Sequence, residues 1–265
     1  MSNRPIILMG CGRLGSAIVE GWLLTGAVDP AELIILTPSA KPAAEQARTL
    51  GARINPPTDA ISEARAMVLA VKPAMWRSAS APVATGLAQD AAIVSVMAGV
   101  RAADLSMAFQ GRPVARVMPT TAVAMGQGVA AIHAEDLDAR ALAHALFAPL
   151  ADIVDLDNED LMDAATAVAG SGPAYLHAFT LALARAAQDV GLGPDTALRL
   201  ARGAARSAAA SAQGDASLEG LIAQVASPGG TTEAGLNALN EGGQLDQAAG
   251  KAVKAALNRA RDLSA

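Results

Sequence analysis

The chain has little with which to stack on a nucleic-acid base: three phenylalanines, two tryptophans and one tyrosine in 265 residues. It also lacks a basic block, and its net charge is −5. DNA and RNA partners want a positive footprint and aromatic platforms, so both are disfavoured. The single cysteine, Cys11, rules out an internal disulfide and points to a reducing, cytoplasmic compartment. With no resolving cysteine, Cys11 reads as a small residue in a tight turn. No apolar run approaches the ~20 residues that a bilayer crossing needs, so no membrane partner is expected. The start of the chain passes from Arg4-Pro5 straight into an apolar run, without the serial regions of a signal peptide. His133 and His144 have no Cys, Asp or Glu at metal-ligand spacing, so no metal site is expected.

What is present is small and aliphatic. Hydrophobic residues make up 52% and aromatics 2%, so alanine, leucine and valine carry the bulk and favour close helix packing. The length admits two domains. Ile6–Met9 is a short apolar run suited to a strand buried on both faces. A glycine loop follows, then apolar residues at helical spacing from Leu14 to Leu24. Further strands are expected at Leu33–Leu36, Met67–Val71, Ile93–Val96 and Val114–Met118, with a helix over Ala43–Leu50. Gly128–His133 and Ile153–Leu156 could complete the sheet. Strands alternating with helices imply an α/β fold with a mostly parallel sheet.

After Asp157–Asp160 no β-branched run appears. A helical stripe runs through Met162, Ala165, Ala169, Gly172, Leu176, Phe179, Leu183, Ala187 and Val190. A kink is expected at Gly172-Pro173 and a C-terminal cap at Gly191. Further helices are expected near 194–212, 217–225, 229–240 and 245–263. The boundary is placed near 158, giving residues 1–158 as a Rossmann-like domain and 159–265 as an all-helical domain. So apolar a stripe suits burial against a second copy, although a compact bundle would account for the pattern equally well.

Gly10-Cys11-Gly12-Arg13-Leu14-Gly15 stands between the first strand and its helix. In a dinucleotide-binding loop Gly10 allows the tight turn, Gly12 the approach of a pyrophosphate, and Gly15 close helix–strand packing. The second strand ends Leu36-Thr37-Pro38-Ser39-Ala40-Lys41, with no acid to hold a ribose 2′-hydroxyl. Thr37 and Ser39, with Arg13 nearby, suit a 2′-phosphate and favour NADPH, NADH remaining an option. Lys41 reads equally as a phosphate contact or a solvated charge. Ala70-Val71-Lys72-Pro73 and Ala98-Gly99 follow later strands, at the sheet edge where ligands bind. Lys72 could neutralise an anion or be a simple strand-end charge.

Ser227-Pro228-Gly229-Gly230-Thr231-Thr232 precedes a helix. Glycine amides, hydroxyls and a positive helix end make an anion pocket for a small substrate. Taken alone, Thr231 and Thr232 could equally satisfy the first amides of the helix. One loop for a cofactor and one for an anion suggest a two-substrate enzyme. His177 reads as an ordinary helix histidine, and Tyr175 as packing or active-site in equal measure.

Six segments in this order resemble the pyrroline-5-carboxylate reductase family: Gly10–Gly15, Ala70–Pro73, Ala98–Val100, Arg116–Pro119, Ala169–Tyr175 and Ser227–Thr232. The last two are the specific ones, and the set spans nearly the whole chain. The resemblance implies a Rossmann-like domain followed by a helical domain that interlocks in a homodimer, with larger rings of dimers in the family. It implies reduction of 1-pyrroline-5-carboxylate to L-proline by NAD(P)H. It places the substrate carboxylate at Ser227 and the amides of Gly229, Gly230 and Thr231, and a hydrogen bond to the ring nitrogen at Thr232. The family commonly shows Met-Pro-Asn-Thr-Pro where this chain has Met118-Pro119-Thr120-Thr121-Ala122, which bears on cofactor preference and substrate tolerance. The competing readings are another imine reductase of this architecture and a non-catalytic dinucleotide-binding regulator. The second predicts a damaged substrate loop, whereas Ser227–Thr232 is complete.

Overall fold

The computed structural model describes residues 4–264. It divides into two compact units: one runs up to Gly170 and takes back the residues from Ala256 onward, and the other is Ser171–Ala255.

The first unit is a doubly wound α/β sheet. Strands β1 (Ile6–Met9), β2 (Leu33–Leu36), β3 (Arg53–Ile54), β4 (Ala66–Leu69), β5 (Ala92–Ser95), β6 (Val114–Pro119), β7 (Gly128–Ala134) and β8 (Ala151–Asp155) lie in the order 3-2-1-4-5-6-7-8. All neighbours are parallel except β6 and β7. That pair is joined by a short helical turn, Thr121–Met125, which can return the chain only antiparallel. Helices α1 (Arg13–Thr25), α2 (Pro42–Thr49), α3 (Trp76–Ala84), α4 (Ala102–Ala108) and α5 (Leu137–Phe147) complete the crossovers.

The apolar runs form strands because both sheet faces are covered. Ile6, Leu8, Val68 and Val94 join the core under α1, with Trp22 and Phe147. Ile7, Met67, Leu69 and Ile93 join the opposite core, with Trp76 and Phe109. The Trp22 indole donates to the Leu146 carbonyl at 2.9 Å, so even the largest buried side chain has its polar atom paired.

β4 ends at Leu69, two residues before the expected Val71. The Ala70 amide still donates to the Met9 carbonyl, and the chain then leaves the sheet for the turn Pro73–Met75. β3 was not anticipated. It is two residues long, and too short a run carries no period.

The long helix expected from Met162 comes in pieces: α6 (Met162–Ala165), a π-turn over Thr166–Gly170, and α7 (Gly172–Asp189). Proline has no amide to give the carbonyl four residues back, and its ring crowds that carbonyl. The irregularity therefore lies in the turn before Pro173 rather than at it. Beyond α7 come α8 (Pro194–Ser211), α9 (Leu218–Val225), α10 (Thr231–Leu239) and α11 (Gln244–Ser264). In the second unit, Ala184, Ala197 and Ala201 are buried, while Leu176, Phe179, Leu183 and Val190 of the apolar stripe are exposed.

Near the end of the first unit, Glu159 ties three segments together. It accepts from Arg116 Nη1 of β6 at 3.0 Å and from the Ala102 amide, the first of α4, at 2.7 Å. Arg116 is 3% exposed, and its Nε and Nη2 have no hydrogen-bond partner among the described residues. Removing Glu159 would strand a buried cation. Glu159→Ala is expected to cost about 3–5 kcal/mol of stability, read from denaturant midpoints, and a loss below ~1 kcal/mol would contradict this role. Ahead of β1 and β5, a hydrogen bond from Arg4 holds the Asp90 carboxyl below its ordinary 3.8. That stability is present above the ordinary value and lost as pH falls through the lower folded one. Asp90→Asn should therefore flatten the acid limb of a melting-temperature profile below pH 3.8.

Candidate active site

Parallel strands in register bring their following loops to one edge. Met9 stands opposite Leu36 and Leu69, and Leu69 opposite Ser95. Gly10–Gly15, Thr37, Ser39, Ala70–Pro73 and Ala98 thus lie on the loops and helix start at the carboxyl ends of β1, β2, β4 and β5. The strand order reverses between β1 and β4, and a crevice at that point is where doubly wound sheets bind ligands.

The three loop glycines differ. Gly10 has φ +96, and a Cβ there would lie 2.7 Å from the Ala70 carbonyl oxygen. A Cβ on Gly15 would overlap the Gly10 carbonyl oxygen, so this glycine lets α1 sit against its own strand. Gly12 has nothing within 4 Å of a Cβ position. It is the exposed N-cap of α1 and offers no side-chain cap to the first-turn amides. A pyrophosphate fits such a cradle. Arg13 and Ser39 are exposed beside it, Leu14 is half-buried against the core, and Lys72 is exposed.

Thr37 is placed differently from the expectation of a free hydroxyl. It is buried, and its Oγ1 donates to the Ser39 carbonyl at 3.1 Å. Its amide donates to Asn55 Oδ1, and Asn55 Nδ2 donates to the Thr37 carbonyl. Asn55 has φ +46, a conformation asparagine tolerates better than most residues. Sequence reading missed Asn55, whose one available signal was its place before Pro56-Pro57.

Ser227–Thr232 lies in the second unit, running from the loop after α9 into the first turn of α10. Gly229 has φ +72, and Gly230 is the N-cap of α10 without a side-chain cap. Thr231 and Thr232 are the first two residues of α10, so neither caps it. Ser227 and Thr231 are exposed and Thr232 is half-buried. Two of the amides expected to hold a substrate carboxylate already have partners. Gly230 donates to the Ser227 carbonyl at 2.9 Å and Gly229 to Glu233 Oε2 at 2.8 Å. Glu233 went unnoticed in the sequence, although a carboxylate in the first turn after a glycine loop is a recognisable signal.

Other candidates have ordinary surroundings. His133 is buried, with Nδ1 2.9 Å from the Leu156 carbonyl oxygen. His144 pairs with Asp155. Tyr175 donates to the Ala252 carbonyl at 3.5 Å. Thr120 is buried, and its Oγ1 accepts from the Val129 amide, pinning the β6–β7 connection. A cavity of about 760 Å³ lies between α7 and α8, lined by His177, Thr180, Arg199, Arg202 and Arg206 among others, and by none of the expected site residues. Among the described residues no cluster of three or more His, Cys, Asp or Glu could hold a metal, and no helix is long and apolar enough to cross a membrane.

A doubly wound sheet with a glycine loop opening the helix at its switch point defines a Rossmann-type dinucleotide-binding protein, here continued by a helical unit. Residues 159–263 match the family described as pyrroline-5-carboxylate reductase dimerisation, and residues 5–99 the one described as NADP oxidoreductase, coenzyme F420-dependent. The pyrroline-5-carboxylate reductase of Pseudomonas aeruginosa is 32% identical over 273 residues, covering 100% of this chain and 98% of that protein. That of Thermus thermophilus is 33% identical over 265 residues, covering 97% and 98%. The solved pyrroline-5-carboxylate reductase of Coxiella burnetii superposes with a TM-score of 0.90 at 27% identity, covering 100% of both chains. The chain belongs to the pyrroline-5-carboxylate reductase family.

The glycine geometry separates two effects. Gly12→Ala should fold normally yet weaken NADPH binding about tenfold or more, measured by fluorescence titration. Gly15→Ala should instead lower stability by about 1–3 kcal/mol, because the new methyl meets backbone. Equal melting temperatures for Gly15→Ala and the unaltered protein would contradict that packing role.

Proposed function

We propose that this protein reduces the cyclic imine 1-pyrroline-5-carboxylate to L-proline, the last step of proline synthesis, with NADPH as hydride donor and NADH as a second option. The observation that carries this reading is the match to reductases of that name along essentially the whole chain, both domains included. When bound, the reduced dinucleotide supplies the hydride, so the protein's own work is positioning and charge. Gly10, Gly12 and Gly15 make room for the pyrophosphate, and the first amides of α1, at Arg13 and Leu14, point positive ends at it. The absence of an acid after β2, with Ser39 exposed and Arg13 exposed in the glycine loop, favours a ribose 2′-phosphate. Thr37 enters this reading as the residue that shapes the turn, since its hydroxyl is spent on Ser39. Ala70–Pro73 and Ala98 are assigned to the cofactor through their place on the same sheet edge.

In the second loop, Ser227 and the amides of Gly229, Gly230 and Thr231 are assigned to the substrate carboxylate. Thr232 is assigned the hydrogen bond to the ring nitrogen. A threonine hydroxyl is too weak an acid to protonate an imine alone, so its role is to hold a proton supplied through water. Neither Thr231 nor Thr232 caps α10, which supports a role toward a ligand.

Residues 1–158 are read as the dinucleotide domain and 159–265 as the dimerisation and substrate domain. The exposed Leu176, Phe179, Leu183 and Val190 are what a second copy would cover. A homodimer follows, a ring of dimers being the larger form, and the single cysteine suits the cytoplasm.

A specific observation keeps a second reading in view. Thr120 and Ala122 replace the family's usual Asn and Pro, and the Thr120 hydroxyl is engaged by Val129. Substrate range is therefore measured on a panel of cyclic imines. NADPH oxidation with 1-pyrroline-5-carboxylate should be fast, and Thr232→Ala should lower kcat/KM about 10- to 100-fold while NADPH affinity stays unchanged. No turnover by the unaltered enzyme despite NADPH binding would sink the pyrroline assignment.

A further inference from the structure

Glu233 is the third residue of α10, and its carboxylate accepts the Gly229 amide at 2.8 Å. A carboxylate at this position ordinarily returns to the amide of the N-cap residue. Here the N-cap is Gly230, and its amide is already given to the Ser227 carbonyl. Glu233 therefore reaches one residue further back, into the loop. Gly229 holds a left-handed φ of +72 and is exposed, so its amide lies at the surface, within reach of an anion other than Glu233. Glu233 is itself exposed, so its side chain can turn away freely.

We propose that Glu233 is a positioning and specificity-determining residue that stands in for the substrate carboxylate while the loop is empty. This rests on the reading of Ser227–Thr232 as the substrate loop. The Glu233 carboxylate gives Gly229 its partner. An incoming carboxylate takes over Gly229, and Glu233 swings into solvent. The competition is between two like-charged groups for one donor. It sets a threshold that only a ligand with a well-placed carboxylate, supported by the other amides of the loop, overcomes.

The test uses the full-length enzyme with Glu233→Gln, which keeps the shape and an acceptor oxygen but removes the charge. KM for the imine is expected to fall about three- to tenfold, with the gain in KM rather than kcat. The gain should shrink as salt is added, and KM for NADPH should not move. An unchanged or higher imine KM would make Glu233 a helix cap only and overturn the proposal. A second readout does not depend on turnover. L-proline should protect the 227–232 segment from hydrogen exchange at a lower concentration in Glu233→Gln than in the unaltered protein. Equal concentrations would overturn the proposal. An unaltered enzyme that reduces no 1-pyrroline-5-carboxylate and gains no protection from L-proline would sink the substrate reading and the proposal with it, whereas turnover and protection that are the same in Glu233→Gln would overturn the role of Glu233 alone.

Discussion

A parallel sheet must be covered on both faces, and most of this molecule's first unit follows from that requirement. Crossovers that return a strand in the same direction are usually helices, as at all but the β3–β4 crossover here, and helices on both faces leave the strand ends as the open places. With Met9, Leu36, Leu69 and Ser95 in register, four loops open at one edge. The strand order reverses there, so neighbouring loops part to opposite faces and leave a crevice. The glycines of the first loop answer to that geometry. Gly15 lets the helix sit close, Gly10 lets the chain turn under Ala70, and Gly12 leaves the amides uncovered.

The second unit obeys the opposite economy. Its buried side chains are alanines, whereas most of its larger apolar residues, Leu176, Phe179, Leu183 and Val190 among them, are exposed on the single chain. Alanine-lined contacts bring α7 and α8 close but remove little apolar area from water. Such a unit has more to gain from a second copy than from its own interior, which is the physical sense of a domain whose family is described by dimerisation. The π-turn before Pro173 closes the first unit, just ahead of the second. It places the specific Ala169–Tyr175 segment where the backbone ladder is already irregular.

Backbone amides connect the two loops in kind. A helix start leaves amides without intrahelical partners, and each must be met by something. At α1 the N-cap Gly12 has no side chain to cap them. At α10 the preceding loop amides are met internally, by Ser227 and Glu233. The first arrangement suits a large polyanion bound through several amides. The second suits a small carboxylate that exchanges with a carboxylate of the protein.

The apolar runs of β1, β2 and β5, the glycine loop, the change of texture after Asp160 and the start of α10 were legible in the sequence, because period and turn chemistry are local properties. The two-residue β3 was not, since pairing with β2 and not its own pattern makes it a strand. Asn55, Glu159 and Glu233 were silent for the same reason: each acts through a partner. Asn55 meets Thr37 across 18 positions, and Glu159 meets Arg116 across 43. Glu233 lies only four positions from Gly229, yet its role depends on the Gly230 amide being taken first. The sequence by itself determined most of the strands and helices and the places of the two glycine turns, because backbone sterics and apolar spacing act within a few residues. Only the tertiary structure decided which hydroxyls and amides remain unspent. Hydrogen-bond capacity is finite, and which partner claims it is settled only when distant segments meet.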